Sequence, residues 1–235
     1  MEKINFGIDA PTAVKKLFIM SVIALVLFFA SLFLFPKILI ESLLFIVFII
    51  FLIASILLIL SSKIFKIKNR NKLIFLLNLK GNEKILDIGC GNGLYTIGLA
   101  NKITTGKVYG IDIWDKKDLS NNSLKAIQEN IKSSHLENKI ILKSEDMRNM
   151  TLKNEFFDVI VASFSIHNIK NNQERKKAFD EINRVVKKSG KVAIIDFKNI
   201  KKYKKYFTEH GFKLDHESCA WGVFPPSRNL IFVKD

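Results

Sequence analysis

Residues 85–100 read I-L-D-I-G-C-G-N-G-L-Y-T-I-G-L-A. An apolar run carries Asp87, passes Gly89, Gly91 and Gly93 in strict alternation, and leaves in a helix-like segment. Glycines at a strand-to-helix turn let the main chain bend sharply and remove the Cβ that would hold a ligand away. The spacing excludes two common phosphate cradles. A dinucleotide fingerprint needs its last glycine where Leu94 stands. A Walker loop needs a Gly-Lys-Ser/Thr ending, and none follows.

Outward from this loop, strand-like and helix-like runs alternate. Strands are predicted over 84–88, 108–113, 140–143, 157–164, 191–197, 213–217 and 230–233, and helices over 93–103, 123–134, 174–187 and 203–210. Gly211 is placed to cap the last helix. Such alternation specifies an α/β fold, a mostly parallel sheet with helices on both faces. The roughly 165 residues from Leu73 onward suffice for one core.

The first 62 residues differ in kind. They hold four basic and three acidic residues, against 33 and 19 in the rest of a 235-residue chain of net charge +15. Two runs, about 17–35 and 40–60, are almost wholly apolar. About 20 such residues cross a hydrocarbon core as a helix, the one open structure that satisfies its own backbone there. Pro36 is expected to end the first helix, and Lys37 and Glu41 mark a wet connector. Lys15, Lys16 and the basic run K-I-F-K-I-K-N-R-N-K at 63–72 flank the hairpin on one side, which places both termini and the soluble domain in the cytoplasm. A cleaved signal peptide fits poorly, because a second span follows at once and no A-x-A site does. The expected organisation is an anchor at 1–62, a basic juxtamembrane segment at 63–78 with affinity for anionic lipid, and a catalytic domain at 79–235. Two cysteines, Cys90 and Cys219, exclude a disulfide scaffold and fit a reducing compartment.

The run D-x-G-x-G-x-G at 87–93 resembles motif I of the class I S-adenosylmethionine (SAM)-dependent methyltransferases, and the pattern downstream to residue 235 agrees. Strand two ends in Gly110-Ile-Asp112. Ser144-Glu-Asp-Met147 follows strand three, and Ser189-Gly190 opens the fifth strand. The resemblance implies a Rossmann-like seven-stranded sheet and SAM as cofactor. It implies that Asp87, Gly89, Gly91 and Gly93 receive the methionine part and that Asp112 takes the ribose hydroxyls. Ile113, Asp146 and Met147 would then surround the adenine. Asn92 and Cys90 lie in the loop, and Ser163 ends strand four; all three are counted with the cofactor site. Cys90 has no base beside it and reads as a small loop residue, not a nucleophile.

Methyl transfer needs alignment and exclusion of water more than covalent help. His167, in S-F-S-I-H-N at 163–168, is the candidate general base, because ligands in open α/β sheets sit beyond the carboxyl ends of strands. The alternative is a histidine that fixes its own loop. The 221–228 segment, W-G-V-F-P-P-S-R, either roofs the acceptor pocket, touches the bilayer, or is a plain turn. The basic cluster at 198–205 is either a solvated helix face or a lipid contact. No metal site is expected.

Three functions stay open. The first is a membrane-anchored SAM-dependent methyltransferase acting on a small, lipid-like or quinone-like acceptor. The second is a methyltransferase-like SAM-binding scaffold at the membrane. The third is a nucleic-acid or protein methyltransferase; nucleic acid is not the expected partner, since Pro225-Pro226 follows Phe224 and no N/D-P-P-Y/F signature is present.

Overall fold

A computed structural model describes residues 4–34, 38–115 and 119–235. The expected turn at Pro36 and Lys37 lies outside the described residues. Two long helices come first, α1 (Pro11–Leu34) and α2 (Ile38–Leu60), and they pack on each other. Both are long and apolar enough to cross a membrane. The core helix of a soluble protein would be largely buried; here Phe18, Val26, Phe33, Leu39 and Leu43 all stand exposed. α1 starts earlier than predicted, at Pro11, a residue suited to the first helical turn.

α2 does not end at a linker. A π-helical turn, Ser61–Phe65, carries it into α3 (Lys66–Leu77), so one helical rod runs over Ile38–Leu77. The stretch 63–78, expected as a juxtamembrane segment, is thus helical through Leu77. Leu73, Ile74 and Leu77, three or four residues apart on one face of α3, are buried in the core of the soluble domain. The basic run is also not uniformly turned outward. Lys63, Lys68 and Lys72 are exposed, but Lys66 is buried.

The sheet holds seven strands: β1 (Lys84–Ile88), β2 (Lys107–Asp112), β3 (Ile140–Ser144), β4 (Phe157–Ser163), β5 (Val186–Asp196), β6 (Phe212–Ala220) and β7 (Ser227–Lys234). Their order is β3-β2-β1-β4-β5-β7-β6, with only β7 antiparallel to its neighbours. β5 begins five residues before the predicted start and takes in Ser189 and Gly190. Alternation along each strand splits the core into two layers. Leu86, Ile88, Ile160 and Ala162 face α6 (Asn172–Val185) and α7 (Ile200–Glu209). Ile85, Val159 and Val161 face α3, α4 (Leu94–Ala100) and α5 (Leu124–Ser133). The lysines of α7 lie on its outer face, while Tyr203 and Phe207 turn inward.

Local signals end the helices where side chains can do so. The Ser123 hydroxyl accepts from the Ala126 N–H to start α5, and the Asn171 side chain accepts from Gln173 and Glu174 to start α6. Strand order reverses between β1 and β4, and the crevice of an open α/β sheet lies at such a reversal.

If α3 belongs to the domain, Leu73→Ala should cost about 2–5 kcal/mol in chemical denaturation of the detergent-solubilised chain. Phe75→Ala, two residues on and at an exposed position on the opposite side of the helix, should stay within about 0.5 kcal/mol. Equal effects would return α3 to the status of a linker.

Candidate active site

A cavity of about 330 Å³ occupies the crevice. Its floor is the glycine loop. Gly89 has φ +70° and sits so close to the 3-10 turn Ile166–Asn168 that an added Cβ would lie 2.3 Å from Ser165 Cβ. Gly91 also has positive φ. The loop is tied to β2: the N–H groups of Gly89 and Cys90 donate to the Ile111 carbonyl at 2.8 and 3.1 Å. The Gly91 N–H donates to Asp112 Oδ2 at 2.7 Å.

Asp112 accepts a second backbone bond, from Trp114 N–H to Oδ1 at 2.6 Å. A carboxylate has about four acceptor sites, so these backbone donors do not exhaust its capacity for a ligand hydroxyl. Burial raises its carboxyl above the usual range despite these two donors. Asp87 lies deeper, at 2% exposure, and accepts from the Thr96 hydroxyl at 2.6 Å. Burial pushes its carboxyl up to about 7, with the Thr96 bonds opposing. Burial and the nearby Asp87 and Asp112 carboxylates drive the Cys90 thiol well upward, so it is held as neutral thiol, as expected of a loop residue.

Most of the residues singled out from sequence line this cavity: Asp87, Gly89, Cys90, Gly91 and Asn92, and further round Asp112, Ile113, Asp146, Met147 and Ser163. Ile113 offers an exposed apolar edge suited to a flat ring. Gly93 is set back from the lining; it starts α4, and its Cα faces Ile127 and Ile97. The Asp146 carboxylate is gripped by the Arg148 guanidinium at 2.9 and 2.5 Å, which lowers its pKa. Arg148 also reaches Glu174 at 3.2 Å and so closes one rim. His167 is not among the lining residues. Its Nδ1 lies 3.0 Å from Asp196 Oδ1 without hydrogen-bond alignment, and its ring stands against Phe197. The neighbouring Asn168 faces the cavity.

Sequence reading missed one wall. The extended segment before α1 crosses the cavity mouth. Ile8 pairs with Ser120 in both directions, Ile8 N–H to Ser120 Oγ at 2.7 Å and Ser120 N–H to the Ile8 carbonyl at 3.0 Å. Asn5 and Asn130 are likewise joined twice. Phe6, Gly7 and Asp9 thereby line the cavity, with Ser62 and Lys66 from the helical rod. Lys66 Nζ is 2.7 Å from Asp9 Oδ2 and 3.8 Å from the centre of the Phe164 ring. No periodicity signals this strap; only Asp9, an acid just ahead of an apolar helix, was a visible hint. The 221–228 loop lines no part of the cavity among the described residues. It rests on the helical rod instead, with Phe224 N–H donating to Ser61 Oγ at 2.8 Å.

Whether SAM suits this cavity can be judged from its polar atoms. Asn92 Oδ1 and Asn122 Oδ1 are buried without a hydrogen-bond partner, and both side chains line the cavity. Two orphaned acceptors near two carboxylates fit a ligand bearing an ammonium and a sulfonium.

Residues 85–190 match the family model described as a methyltransferase domain. Demethylmenaquinone methyltransferase of Lactobacillus johnsonii is 30% identical over 128 residues, 54% of this chain and 49% of that protein. The 2-phytyl-1,4-naphtoquinone methyltransferase of Nostoc punctiforme is 29% identical over 119 residues, 50% of this chain and 48% of that protein. The chain thus spans about half the length of the curated relatives it matches. Among solved structures, magnesium protoporphyrin IX methyltransferase of Synechocystis with bound SAM superposes with a TM-score of 0.60 at 18% identity, over 73% of this chain and 81% of that one. A SAM-dependent methyltransferase of Aquifex aeolicus gives 0.58 at 19% identity, over 71% and 89%. At these identities the likeness is one of fold.

Gly89→Ala should lower SAM affinity by about tenfold or more in calorimetric titration, because the loop must shift to clear Ser165. Unchanged affinity would show that the ligand does not rest on this loop.

Proposed function

We propose that the soluble part of the chain is a class I SAM-dependent methyltransferase domain and that the protein transfers the methyl group of SAM to a quinone-like acceptor dissolved in a membrane, with the α1–α2 hairpin as anchor and the domain on the cytoplasmic face. The observation that carries the catalytic reading is the single cavity onto which the glycine loop, Asp112 and Asp87 converge. The acceptor class rests on the quinone methyltransferase relatives together with the exposed apolar surface of the hairpin. A non-catalytic scaffold is disfavoured by an intact loop flanked by a buried carboxylate, Asp87, and a half-buried one, Asp112.

When bound, SAM supplies an electrophilic methyl on a positively charged sulfur. The chain supplies the rest. Asp112 holds the ribose through the acceptor capacity its backbone donors leave. The backbone at Gly89 and Gly91 lets the methionine part lie against the loop, and Asn92 and Asn122 present their orphaned oxygens to its ammonium. Ile113 and Met147 give the adenine an apolar slot. The strap and the helical rod close the mouth and exclude water, which leaves in-line alignment as the main catalytic contribution. The placement of His167 against Asp196 favours a positioning role: it braces the turn that presents Asn168.

Asp87 gives a pH dependence with a definite sign. Its carboxyl titrates near 7 in the free protein. A cationic ligand favours the carboxylate, so binding releases a proton. SAM affinity should be greatest above about pH 7 and fall as pH drops below it, by up to about tenfold per unit. Asp87→Asn should flatten that profile. Titration calorimetry from pH 5.5 to 8.5 in buffers of different ionisation enthalpy reads both the affinity and the proton.

For the activity itself, the full chain with methyl-labelled SAM and a total membrane extract should put label in the organic phase. Label on protein or RNA would point to the other acceptors, and absence of label from every fraction would leave the scaffold reading. His167→Ala should keep turnover within about tenfold of the unaltered chain and leave its pH profile in place; a deeper loss with a flattened profile would restore the general base.

A further inference from the structure

We propose that the apolar groove between α1 and α2 holds the prenyl tail of the methyl acceptor and leads its ring past the strap into the catalytic cavity. The inference rests on the acceptor class proposed above and adds where that acceptor is held.

The groove encloses about 250 Å³ and is lined by Ile8, Pro11, Val14, Phe18, Ser55 and Ile59, with Lys15 at its edge. It is almost wholly apolar. The Ser55 hydroxyl is spent on the Leu52 carbonyl at 2.8 Å, which leaves Lys15 as the one charged side chain among the lining residues. The catalytic cavity begins immediately beside it. Ile8 lines the groove, while its neighbours Gly7 and Asp9 line the cavity. Ile59 lines the groove, and Ser62, about one helical turn on, lines the cavity. The same two elements, strap and rod, therefore wall both spaces.

The change of character along this path is abrupt. At the groove end the walls are aliphatic. At the cavity end stand Asp9, Ser62 and Lys66, joined by Ser62 Oγ to Asp9 Oδ2 at 2.9 Å and Lys66 Nζ to Asp9 Oδ2 at 2.7 Å, beside the face of Phe164. An amphiphile with an aliphatic tail and a flat, oxygen-bearing ring matches that sequence of surfaces. Its ring oxygens would meet Lys66 and Ser62, and its ring would meet Phe164. A diacyl lipid matches poorly, since its phosphate would have to lie against Asp9 and its second chain would have no wall. Gly7 marks the crossing. A Cβ there would lie 2.7 Å from the Ser120 carbonyl and 2.9 Å from the Asn92 side chain, so the strap passes at closest approach with no side chain of its own to block the way.

The test uses the full chain in vesicles of phosphatidylethanolamine and phosphatidylglycerol, with a prenylated naphthoquinone carrying a diazirine on its tail. Photolabelling should fall on peptides that contain residues 11–18 and 55–59. Unlabelled prenylated naphthoquinone should compete, and added phospholipid should not. Val14→Trp and Ser55→Phe fill the groove from opposite helices, and each should cut labelling about fivefold or more while SAM affinity stays unchanged. The same variants should lower kcat/KM for a prenylated naphthoquinol about tenfold and leave a tail-less naphthoquinol within about twofold. Label spread evenly over the hairpin, equal competition by phospholipid, or parallel loss on both naphthoquinols would overturn the proposal. Groove labelling without methylation of either naphthoquinol would keep the groove as a prenyl-chain site and overturn the acceptor assignment instead.

Discussion

The site depends on one carboxylate with two backbone donors. Asp112, at the tip of β2, accepts from Gly91 in the loop after β1 and from Trp114 two residues beyond itself. These bonds fix the loop against its neighbouring strand and aim the remaining lone pairs into the crevice. Glycine is needed at 89 and 91 because the chain there runs at positive φ and, at 89, against Ser165. The burial that raises Asp112 and Asp87 above their ordinary range is the same burial that makes their ionised forms strong partners for a cationic nucleoside.

The sheet and the cofactor side of the crevice were legible because they are written in local pattern. Short apolar runs alternating with amphipathic ones marked the strands, and the glycine alternation marked the turn. An acid at the end of strand two lies within one strand spacing of that turn once the strands are parallel. Legibility failed where the deciding contacts are long-range. Ile8 meets Ser120 and Asn5 meets Asn130 across more than 100 residues, and an extended segment of mixed composition carries no period. Lys66 was hidden inside a basic run whose other members do face outward. It is paired instead with Asp9, 57 residues earlier, which no composition rule reveals. His167 lies in the expected loop, but its ring nitrogen turns toward Asp196 and it is absent from the cavity lining.

The N-terminal segment and the helical rod do two jobs at once. As helices they present apolar residues outward and bury few of them, which is costly in water and favourable in lipid. As walls they complete a cavity that the sheet alone leaves open. This explains why Leu73 and Leu77 are buried as deeply as any residue of the sheet, and why a division of the chain into anchor, linker and enzyme cuts through a continuous core.

The unbroken rod has a mechanical consequence. Forty residues of helix, about 60 Å, run from Ile38 to Leu77 at the base of the domain with only a π-turn along the way. A π-turn can kink a helix, but Ser61–Phe65 contains no glycine or proline and is pinned to the domain, Ser61 Oγ accepting from the Phe224 N–H at 2.8 Å. The crevice therefore keeps a fixed height and heading relative to the hairpin axis, as a tool head does on a solid shank. Any tilt of the hairpin reaches the glycine loop as a rigid rotation, undiluted by slack in a tether.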